Sequence, residues 1–390
     1  MIGLIKSSFY NETDTKKKLA DFILNCNKFS MGNECATFEK AFAKKQQRKY
    51  AVFVNSGSSA NLILIQSLIN LKILKKGGTV GVSALTWATN VMPLTQLGLH
   101  PYILDCSLDT LNLSPEILMK NISQLNGLFL TNTLGFSDDI DAIRKICDDK
   151  NIVFIEDNCE SLGSKTSGRL LGNFGVASTF STFVGHHLST IEGGVVCTDD
   201  PDLYDMLLMV RSHGWLRNLT EDRKKITRQR YNVPEDTFYD KYTFYEPAYN
   251  VRPTEVTSYI GNIQIGYWDE IVERREQNWK EVSQVIDNNP DLHNISTSKM
   301  DKISNFAIPV ITKSKDLFMK YKQVFENNEI EIRPIIAGNI ALQPFLREYL
   351  AGQPDCPTAQ YVHENGFYFG NNPELTSDEI DLFKKILTYE

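Results

Sequence analysis

Two adjacent histidines give this sequence its clearest capacity for chemistry. His186 and His187 are two of the six histidines in the chain, and they follow the apolar run Ser178–Phe183 within the segment GHHLSTIEGG. An imidazole can accept and return a proton near neutral pH, and the pair Gly193–Gly194 allows a close approach of backbone. The segment predicts a proton-transfer group, although a hydrogen-bonded structural histidine is the more common role for either residue taken alone.

A turn of small polar residues follows an earlier apolar run. The run Ala51–Val54 leads into Asn55–Asn61 (NSGSSAN), and the letters LILIQSLI that come next predict a buried helix. Free N–H groups and hydroxyls at a helix N-terminus suit a phosphate. Turns and helix caps use the same residue types, and the segment is neither a Walker loop nor a G-x-G-x-x-G fingerprint. Both interpretations stay open.

A third candidate lies at the end of the apolar run in NIVFIEDNCESLGS. Open α/β sheets place ligands at the carboxyl ends of their strands, which is where Asp157 lies. A carboxylate there can hold a protonated ring nitrogen. A helix cap or a solvated loop acid is an equally good interpretation of Asp157.

Short β-branched runs separated by helix-like segments predict the scaffold that positions these residues. Continuous apolar strands of this kind are typical of a largely parallel sheet covered by helices on both faces. We therefore predict an α/β fold with a mostly parallel, seven-stranded sheet. The predicted strands are Ala51–Val54, Thr79–Val82, Tyr102–Leu104, Gly127–Leu130, Ile152–Glu156, Ser178–Phe183 and Gly194–Thr198.

Beyond about residue 200 the pattern becomes mainly helical and predicts a smaller α+β domain. We place the large domain at 1–255 and the small C-terminal domain at 256–390. The polar stretch Leu216–Tyr249 shows little periodicity and is predicted to be a long excursion near the site. The predicted later elements are Leu203–Ser212, Ser258–Asn288, Ser304–Thr312, Asp316–Asn328 and Ser377–Leu387.

The bulk properties argue against several classes of function. The net charge of −7 comes with dispersed Lys and Arg, which leaves no basic footprint for nucleic acid or for an anionic membrane. No stretch approaches the roughly 20 apolar residues needed to span a bilayer, so we expect a cytoplasmic protein. The seven cysteines are widely spaced without a C-x-x-C pair, which favours free thiols over a disulfide framework or a metal site.

Read in order, six segments resemble the nucleotide-sugar aminotransferases of the fold-type I class of pyridoxal 5′-phosphate enzymes. The resemblance extends from about residue 5 to 385. It implies an aspartate aminotransferase-like fold and a pyridoxal 5′-phosphate cofactor. The segments are NSGSSAN, ALTWAT, FIEDNCESLG, FSTFVGHHLSTIEGG, RSHGW and EPAYNVRPTEV.

The resemblance implies a place for the phosphate of the cofactor. Ser58 and Ser59 would bind it with help from Ser181, and Asn250 would reach in from the neighbouring subunit. An active site shared in this way implies a homodimer with two-fold symmetry.

The resemblance also implies contacts to the cofactor ring. Trp87 would lie against one face of the pyridine. Asp157 would pair with the ring nitrogen and keep it protonated, so that the ring accepts electrons. Glu160 would contact the cofactor or the substrate.

One position departs from the aminotransferase pattern. In the aminotransferases the segment reads S-F-x-x-x-K-x-x-x-T-x-E-G-G, and the lysine lies six residues before the glutamate. Six residues before Glu192 is His186. An imidazole cannot form the covalent link to the cofactor that this lysine forms, which compromises ordinary transamination, but it can still move protons.

Histidine at this position resembles the pyridoxamine-dependent sugar 3-dehydratases. The resemblance implies that L-glutamate first converts the cofactor to pyridoxamine 5′-phosphate. His186 then takes a proton while a nucleotide-linked 4-keto-6-deoxyhexose loses its C3 hydroxyl. GDP-4-keto-6-deoxy-D-mannose is the expected substrate and GDP-4-keto-3,6-dideoxy-D-mannose the product, a precursor of dideoxysugars in surface polysaccharide.

A related CDP-hexose 3-dehydrase also carries histidine there but uses an iron–sulfur cluster. Such a cluster needs grouped cysteines, whereas Cys197 is the last cysteine before Cys356. We therefore predict neither an iron–sulfur cluster nor another metal. In the segment RPIIAGN, the resemblance implies that Arg333 and Asn339 bind substrate, with Arg333 receiving a glutamate carboxylate; a surface role for Arg333 stays open.

His213 in RSHGW is a further candidate for substrate binding, although packing at a helix end explains it at least as well. Two other functions stay open. One is a C4 aminotransferase that makes an amino sugar of the perosamine type, against which His186 counts. The other is a catalytically retired regulatory protein, against which the retained Ser58, Trp87 and Asp157 count.

Overall fold

The computed structural model describes residues 1–235, 238–353 and 355–389. Its α-helices are α1 Glu12–Asn25, α2 Asn33–Gln46, α3 Gly57–Asn70, α4 Ala88–Gln96, α5 Pro115–Asn121, α6 Ile140–Lys150, α7 Pro201–Val210, α8 Glu221–Tyr231, α9 Glu255–Gln264, α10 Trp268–Asp287, α11 Lys315–Asn327, α12 Pro357–Asn365 and α13 Ser377–Leu387. Its strands are β1 Tyr50–Val54, β2 Thr79–Ser83, β3 His100–Leu104, β4 Gly127–Thr131, β5 Val153–Asp157, β6 Lys165–Thr166, β7 Arg169–Leu170, β8 Ala177–Ser181, β9 Gly194–Thr198, β10 Ala307–Ile311, β11 Ile332–Pro334 and β12 Gly366–Gly370.

The large domain is built on a seven-stranded sheet in the order β1-β9-β8-β5-β4-β2-β3. Strands β3, β2, β4, β5 and β8 run parallel, and β9 pairs antiparallel with both β8 and β1. The predicted α/β fold with a mostly parallel sheet is confirmed, and each predicted strand overlaps an observed one. Apolar strands buried on both faces give this pattern because helices cover the sheet on each side.

Helix α3 forms one of the best-buried parts of this domain. It follows β1 directly and begins with a cap, since the Ser56 hydroxyl accepts a hydrogen bond from the Ser59 N–H. Its residues Ile63, Leu64 and Leu68 are fully buried. The helix therefore holds its N-terminus rigidly at the end of β1.

The C-terminal region contains a second, antiparallel sheet in the order β10-β12-β11. The predicted long helix Ser258–Asn288 is instead two helices, α9 and α10, joined by a short 3₁₀ turn at Ile265–Tyr267. Strands β11 and β12 are additional to the elements that the sequence predicted. For β11 the reason is its length, because a strand of three residues is too short to show a periodic pattern in the sequence.

The polar stretch Leu216–Tyr249 contains helix α8, which the sequence analysis did not predict. That helix has almost no apolar face and is held by ion pairs instead. Arg228 pairs with Asp240, and Arg223 pairs with Asp205 on α7. Helices of this kind have weak hydrophobic periodicity, which is why the pattern did not reveal it.

Glu255, at the predicted domain boundary, connects distant parts of the chain. Its buried carboxylate accepts hydrogen bonds from the N–H groups of Gly32, Glu34 and Cys35, and so caps the N-terminus of α2. A division at 255/256 stays a prediction. None of the described helices is both long and apolar enough to cross a membrane.

Candidate active site

A cleft of about 320 Å³ opens at the carboxyl ends of β4, β5 and β8, where Thr131, Asp157 and Ser181 end their strands. This is the edge at which open α/β sheets bind ligands. Residues from the C-terminal sheet close the other side. The predicted site residues that line the cleft are Ser58, Trp87, Asp157, Glu160, Ser181, His186 and Arg333.

Asp157 is a buried hydrogen-bond acceptor at the floor of the cleft. Its Oδ2 accepts from the side-chain amides of Asn61 (3.1 Å) and Asn90 (2.8 Å), and its Oδ1 accepts from the Cys159 N–H (2.9 Å). Three donors therefore converge on the two oxygens of this carboxylate. A buried carboxylate prepared in this way can pair with a cationic ring nitrogen.

The preceding residue, Glu156, points to the opposite face of the sheet, because side chains alternate along a strand. It is fully buried and accepts hydrogen bonds from the N–H groups of Gly172, Phe174 and Gly175, each at 2.7 Å. Glu156 therefore fixes a loop, whereas Asp157 is the carboxylate that reaches the cleft.

The N-terminus of α3 and the end of β8 approach closely. A Cβ atom on Gly57 would lie 2.7 Å from the Cβ of Ser181, so glycine is needed there. Ser58 is exposed toward the cleft, and Ser181 borders it. The Ser59 hydroxyl bonds to Ser56 (3.0 Å) and lies outside the cleft lining. Hydroxyls and a free helix N-terminus make this end suitable for a phosphate.

Trp87 immediately precedes α4 and leaves 56% of its surface exposed, although it lies in the cleft. A large indole exposed inside a cleft offers a flat apolar face to a ring. Asn90, one turn later on α4, bonds Asp157. One short helix thus supplies both a stacking surface and a support for the carboxylate.

His186 projects into the cleft from the loop after β8. Its Nδ1 lies 2.5 Å from the carbonyl oxygen of Cys159. Because a carbonyl only accepts, Nδ1 carries the hydrogen, and Nε2 is left as the basic nitrogen. Burial lowers the pKa of His186, and its ring packs against Phe306 with 5.0 Å between centroids. The imidazole is therefore neutral and ready to accept a proton at neutral pH.

His187 turns away from the cleft. Its Nε2 bonds the carbonyl oxygen of Ser304 at 2.7 Å, and the side chain is buried. Burial lowers its pKa well below the usual value. The bond to a backbone carbonyl and the burial indicate a structural role for His187.

Glu160 is another titratable group in the cleft. Its Oε2 accepts a hydrogen bond from the Leu134 N–H at 2.7 Å. Burial raises the pKa of its carboxyl to about 8, and the negative charge of Asp157 acts in the same direction. Glu160 is thus a carboxyl group that holds its proton near neutral pH.

Arg333 extends from β11 into the cleft, and Glu331 steadies it. The Nε and Nη2 atoms of Arg333 donate to Glu331 Oε1 at 3.0 and 2.8 Å. The other oxygen of Glu331 accepts from the Leu4 N–H at 2.9 Å, so the N-terminal segment shares this network. The guanidinium is half-exposed and can receive an anionic group of a ligand.

Besides Ser59, three predicted site residues lie outside the cleft lining. Asn339 is buried, and its Oδ1 accepts from the Ala341 N–H at 3.0 Å, so it caps a 3₁₀ turn. His213 has a positive φ of 60° and packs against Trp215. Asn250 is exposed and bonds Arg252. The predicted roles of Asn339 and His213 in substrate binding, and the predicted contact of Asn250 to a neighbouring subunit, stay predictions.

Several residues of the cleft were not predicted from the sequence. Asn61 and Asn90 donate hydrogen bonds to Asp157. The apolar part of the cleft wall includes Phe183, Phe306 and Leu4. Asn61 could have been found, because it is the only amide in an otherwise apolar helix face after NSGSSA. Leu4 and Phe306 carry no local signal, since only the fold brings them to this edge.

Residues 11–387 match the model of the DegT/DnrJ/EryC1/StrS aminotransferase family. The chain belongs to this family. Membership confirms the predicted resemblance and agrees with the observed fold.

Two relatives of this family member are GDP-4-keto-6-deoxy-D-mannose 3-dehydratases. The Escherichia coli O55:H7 enzyme is 35% identical over 382 residues, covering 96% of this chain and 97% of the relative. The Yersinia pseudotuberculosis enzyme is 35% identical over 374 residues, covering 94% and 93%. A crystal structure of GDP-4-keto-6-deoxymannose-3-dehydratase with a trapped PLP-glutamate geminal diamine superposes with a TM-score of 0.90 at 31% identity, covering both chains completely.

Proposed function

We propose that this family member is a pyridoxal phosphate-dependent 3-dehydratase of a nucleotide-linked 4-keto-6-deoxyhexose, with GDP-4-keto-6-deoxy-D-mannose as substrate and L-glutamate as amino donor. One observation carries the proposal. His186 occupies the cleft at the position where the family's aminotransferases carry lysine, and its Nε2 is free to act as a base. The relatives that carry the same activity by name support it.

The residues of the cleft fit a pyridoxal phosphate. Asp157 is a buried carboxylate with three donors, Trp87 offers an exposed ring face, and Gly57 allows the N-terminus of α3 to approach Ser181 closely. Asp157 would hold the ring nitrogen, Trp87 would stack, and the serines would bind the phosphate. When bound as its amine form, the cofactor supplies an amine for the sugar ketone and a ring that accepts electrons.

The chain's own groups then move the protons. His186 takes a proton at Nε2, and the Cys159 carbonyl holds the imidazole in the tautomer that allows this. Arg333 is placed to hold the carboxylate of glutamate in the first half-reaction. Because no lysine competes for the cofactor at this position, the amine form stays available to the sugar ketone.

Incubation of the purified protein with pyridoxal phosphate, glutamate and GDP-4-keto-6-deoxy-D-mannose tests the proposal. We expect release of 2-oxoglutarate and ammonia and a sugar nucleotide that has lost the C3 oxygen. His186→Asn abolishes both half-reactions, whereas the matched control His100→Asn, an exposed residue at the start of β3, keeps them. An amino sugar as main product would instead indicate a C4 aminotransferase, and no cofactor binding would indicate a retired enzyme.

A further inference from the structure

Two titratable side chains of the cleft, those of His186 and Glu160, are connected through the peptide unit that joins Cys159 to Glu160. The imidazole of His186 bonds the carbonyl of Cys159, and the next residue along the chain is Glu160. Both side chains line the same cleft. The base and the carboxyl therefore keep a fixed spacing, because the loop after β5 anchors both.

Glu160 has one anchored and one free oxygen. Its Oε2 accepts a hydrogen bond from the N–H group of Leu134. Leu134 itself has a left-handed backbone conformation, with φ of 56°. The Oε1 atom of Glu160 has no hydrogen-bond partner among the described residues and is not enclosed by protein atoms. The free oxygen is thus the one that can carry a proton toward a ligand in the cleft.

The surroundings of Glu160 favour its protonated form. Desolvation is the main cause, and Asp157 adds a negative charge nearby, so the pKa of Glu160 rises to about 8. Tyr368 on β12 and Arg333 on β11 face it from the C-terminal sheet. The other titratable or charged side chains that line the cleft are Asp157, Cys159, His186, Glu192, Arg333 and Tyr368.

We propose that Glu160 is the catalytic acid of the dehydration and that it delivers its proton to the C3 hydroxyl as that group leaves. This inference rests on the proposed function and adds a second catalytic residue to it. His186 must be unprotonated to act as the base, whereas the departing hydroxyl needs a proton at the same stage. Two separate groups meet both needs at once.

The step balances without an added oxidant or reductant. His186 removes a proton from carbon, and the electron pair of the broken carbon–hydrogen bond moves toward C3. The C3–oxygen bond breaks with its pair on oxygen, and the proton of Glu160 completes a water molecule. His186 ends protonated and Glu160 ionised, so the total charge of the site is unchanged.

Glu160→Gln tests the inference, because an amide keeps the size and the Leu134 contact but has no proton to transfer. We expect the glutamate half-reaction, followed as 2-oxoglutarate release, to stay within a few-fold of the parent. Loss of the C3 hydroxyl should slow by about 10²- to 10⁴-fold, as general acid catalysis predicts. If both half-reactions fall together, Glu160 is a positioning residue and the inference is overturned.

A sugar nucleotide with fluorine in place of the C3 hydroxyl separates acid catalysis from a structural defect. Fluoride leaves with little need of a proton, so Glu160→Gln should turn this analogue over at a rate close to the parent. Equal slowing with both substrates would overturn the inference. If the parent protein shows no sugar turnover at all, the proposed function has failed instead.

Thermal unfolding gives a readout apart from activity. In the folded protein Glu160 keeps its proton up to about pH 8, but an unfolded chain releases it near 4.5. Stability therefore falls as pH rises between these values. Glu160→Gln should lose this effect, so its melting temperature relative to the parent should rise from pH 5 to pH 8.

Glu276→Gln is the matched control for both measurements. Glu276 is also buried, but it lies on α10 and pairs with Lys280 and Lys302 away from the cleft. We expect normal half-reactions and no increase in relative melting temperature between pH 5 and 8. If the difference in melting temperature between Glu160→Gln and the parent also stays constant from pH 5 to pH 8, the protonated state of Glu160 is contradicted.

Discussion

His186 bonds the carbonyl of Cys159, two residues beyond the end of β5, at 2.5 Å. The two residues are 27 positions apart in the sequence, so only the folded chain brings them into contact. It sets which ring nitrogen carries hydrogen and ties the base to the same loop that follows Asp157. The position of the base relative to the ring-nitrogen site is therefore fixed by backbone, which a side-chain partner would do less rigidly.

The pH dependence of the glutamate half-reaction should report His186. Burial lowers the pKa of the imidazole below its ordinary 6.5, and the reaction needs the unprotonated form. We expect a constant rate above pH 6.5 and a decline only at more acidic pH. Single-turnover rates of 2-oxoglutarate release across pH measure this, and a midpoint above pH 7 would contradict the assignment.

Asn90→Ala should weaken cofactor binding. The change removes the 2.8 Å hydrogen bond to Asp157 Oδ2, and a hydrogen bond to a charged group contributes about 1.5–3 kcal/mol. We expect the dissociation constant of pyridoxal phosphate to rise by about tenfold or more, as measured by absorbance titration. Asn25→Ala, which removes a bond to the Asp21 carbonyl on exposed helix α1, is the control and should bind normally.

Gly57→Ala should disturb the phosphate end of the cleft. The added Cβ would lie 2.7 Å from the Cβ of Ser181, and overpacking of this kind costs about 1–3 kcal/mol. We expect a lower melting temperature and weaker cofactor binding. Gly266→Ala meets no atom within 4 Å and should leave both unchanged. Equal behaviour of the two variants would show that the close approach is unimportant.

Mixed dimers test the predicted sharing of sites through Asn250. His186→Asn and Asn250→Ala are each expected to be inactive alone. If Asn250 serves the neighbouring subunit, a heterodimer holds one intact site, and equal mixing should restore about a quarter of parental activity. Turnover after unfolding and refolding the mixture measures this. No restoration, with heterodimers present by mass, would place Asn250 outside the partner's site.

Much of the fold follows from local pattern. The runs of buried β-branched residues predicted each strand of the large sheet, because strands covered on both faces must be apolar throughout. Helix α8 escaped prediction since ion pairs such as Arg228–Asp240 replace an apolar face. The break between α9 and α10 also escaped, because both halves share one helical periodicity.

The residues of the candidate site also include some that the sequence could predict and some that it could not. Asp157 ends β5, and Ser58 and His186 lie within a few residues of the ends of β1 and β8, so their place at one sheet edge follows from the topology. Asn339 seemed equivalent to Arg333 in the segment RPIIAGN, yet one caps a buried turn and the other enters the cleft. Arg333 lies on a strand of three residues and Asn339 in the loop that follows it, so no periodic signal in the sequence would separate their roles.

The sequence by itself determined the strands of the large sheet, the family resemblance and the histidine that replaces lysine, since residue type and spacing hold this information. Only the tertiary structure decided the orientation, the hydrogen bonding and the protonation of the side chains in the site. The direction of His186 and His187, the donors around Asp157 and the protonated Glu160 depend on atoms far apart in the chain. Desolvation and hydrogen bonding, which set a pKa, exist only once those atoms have come together.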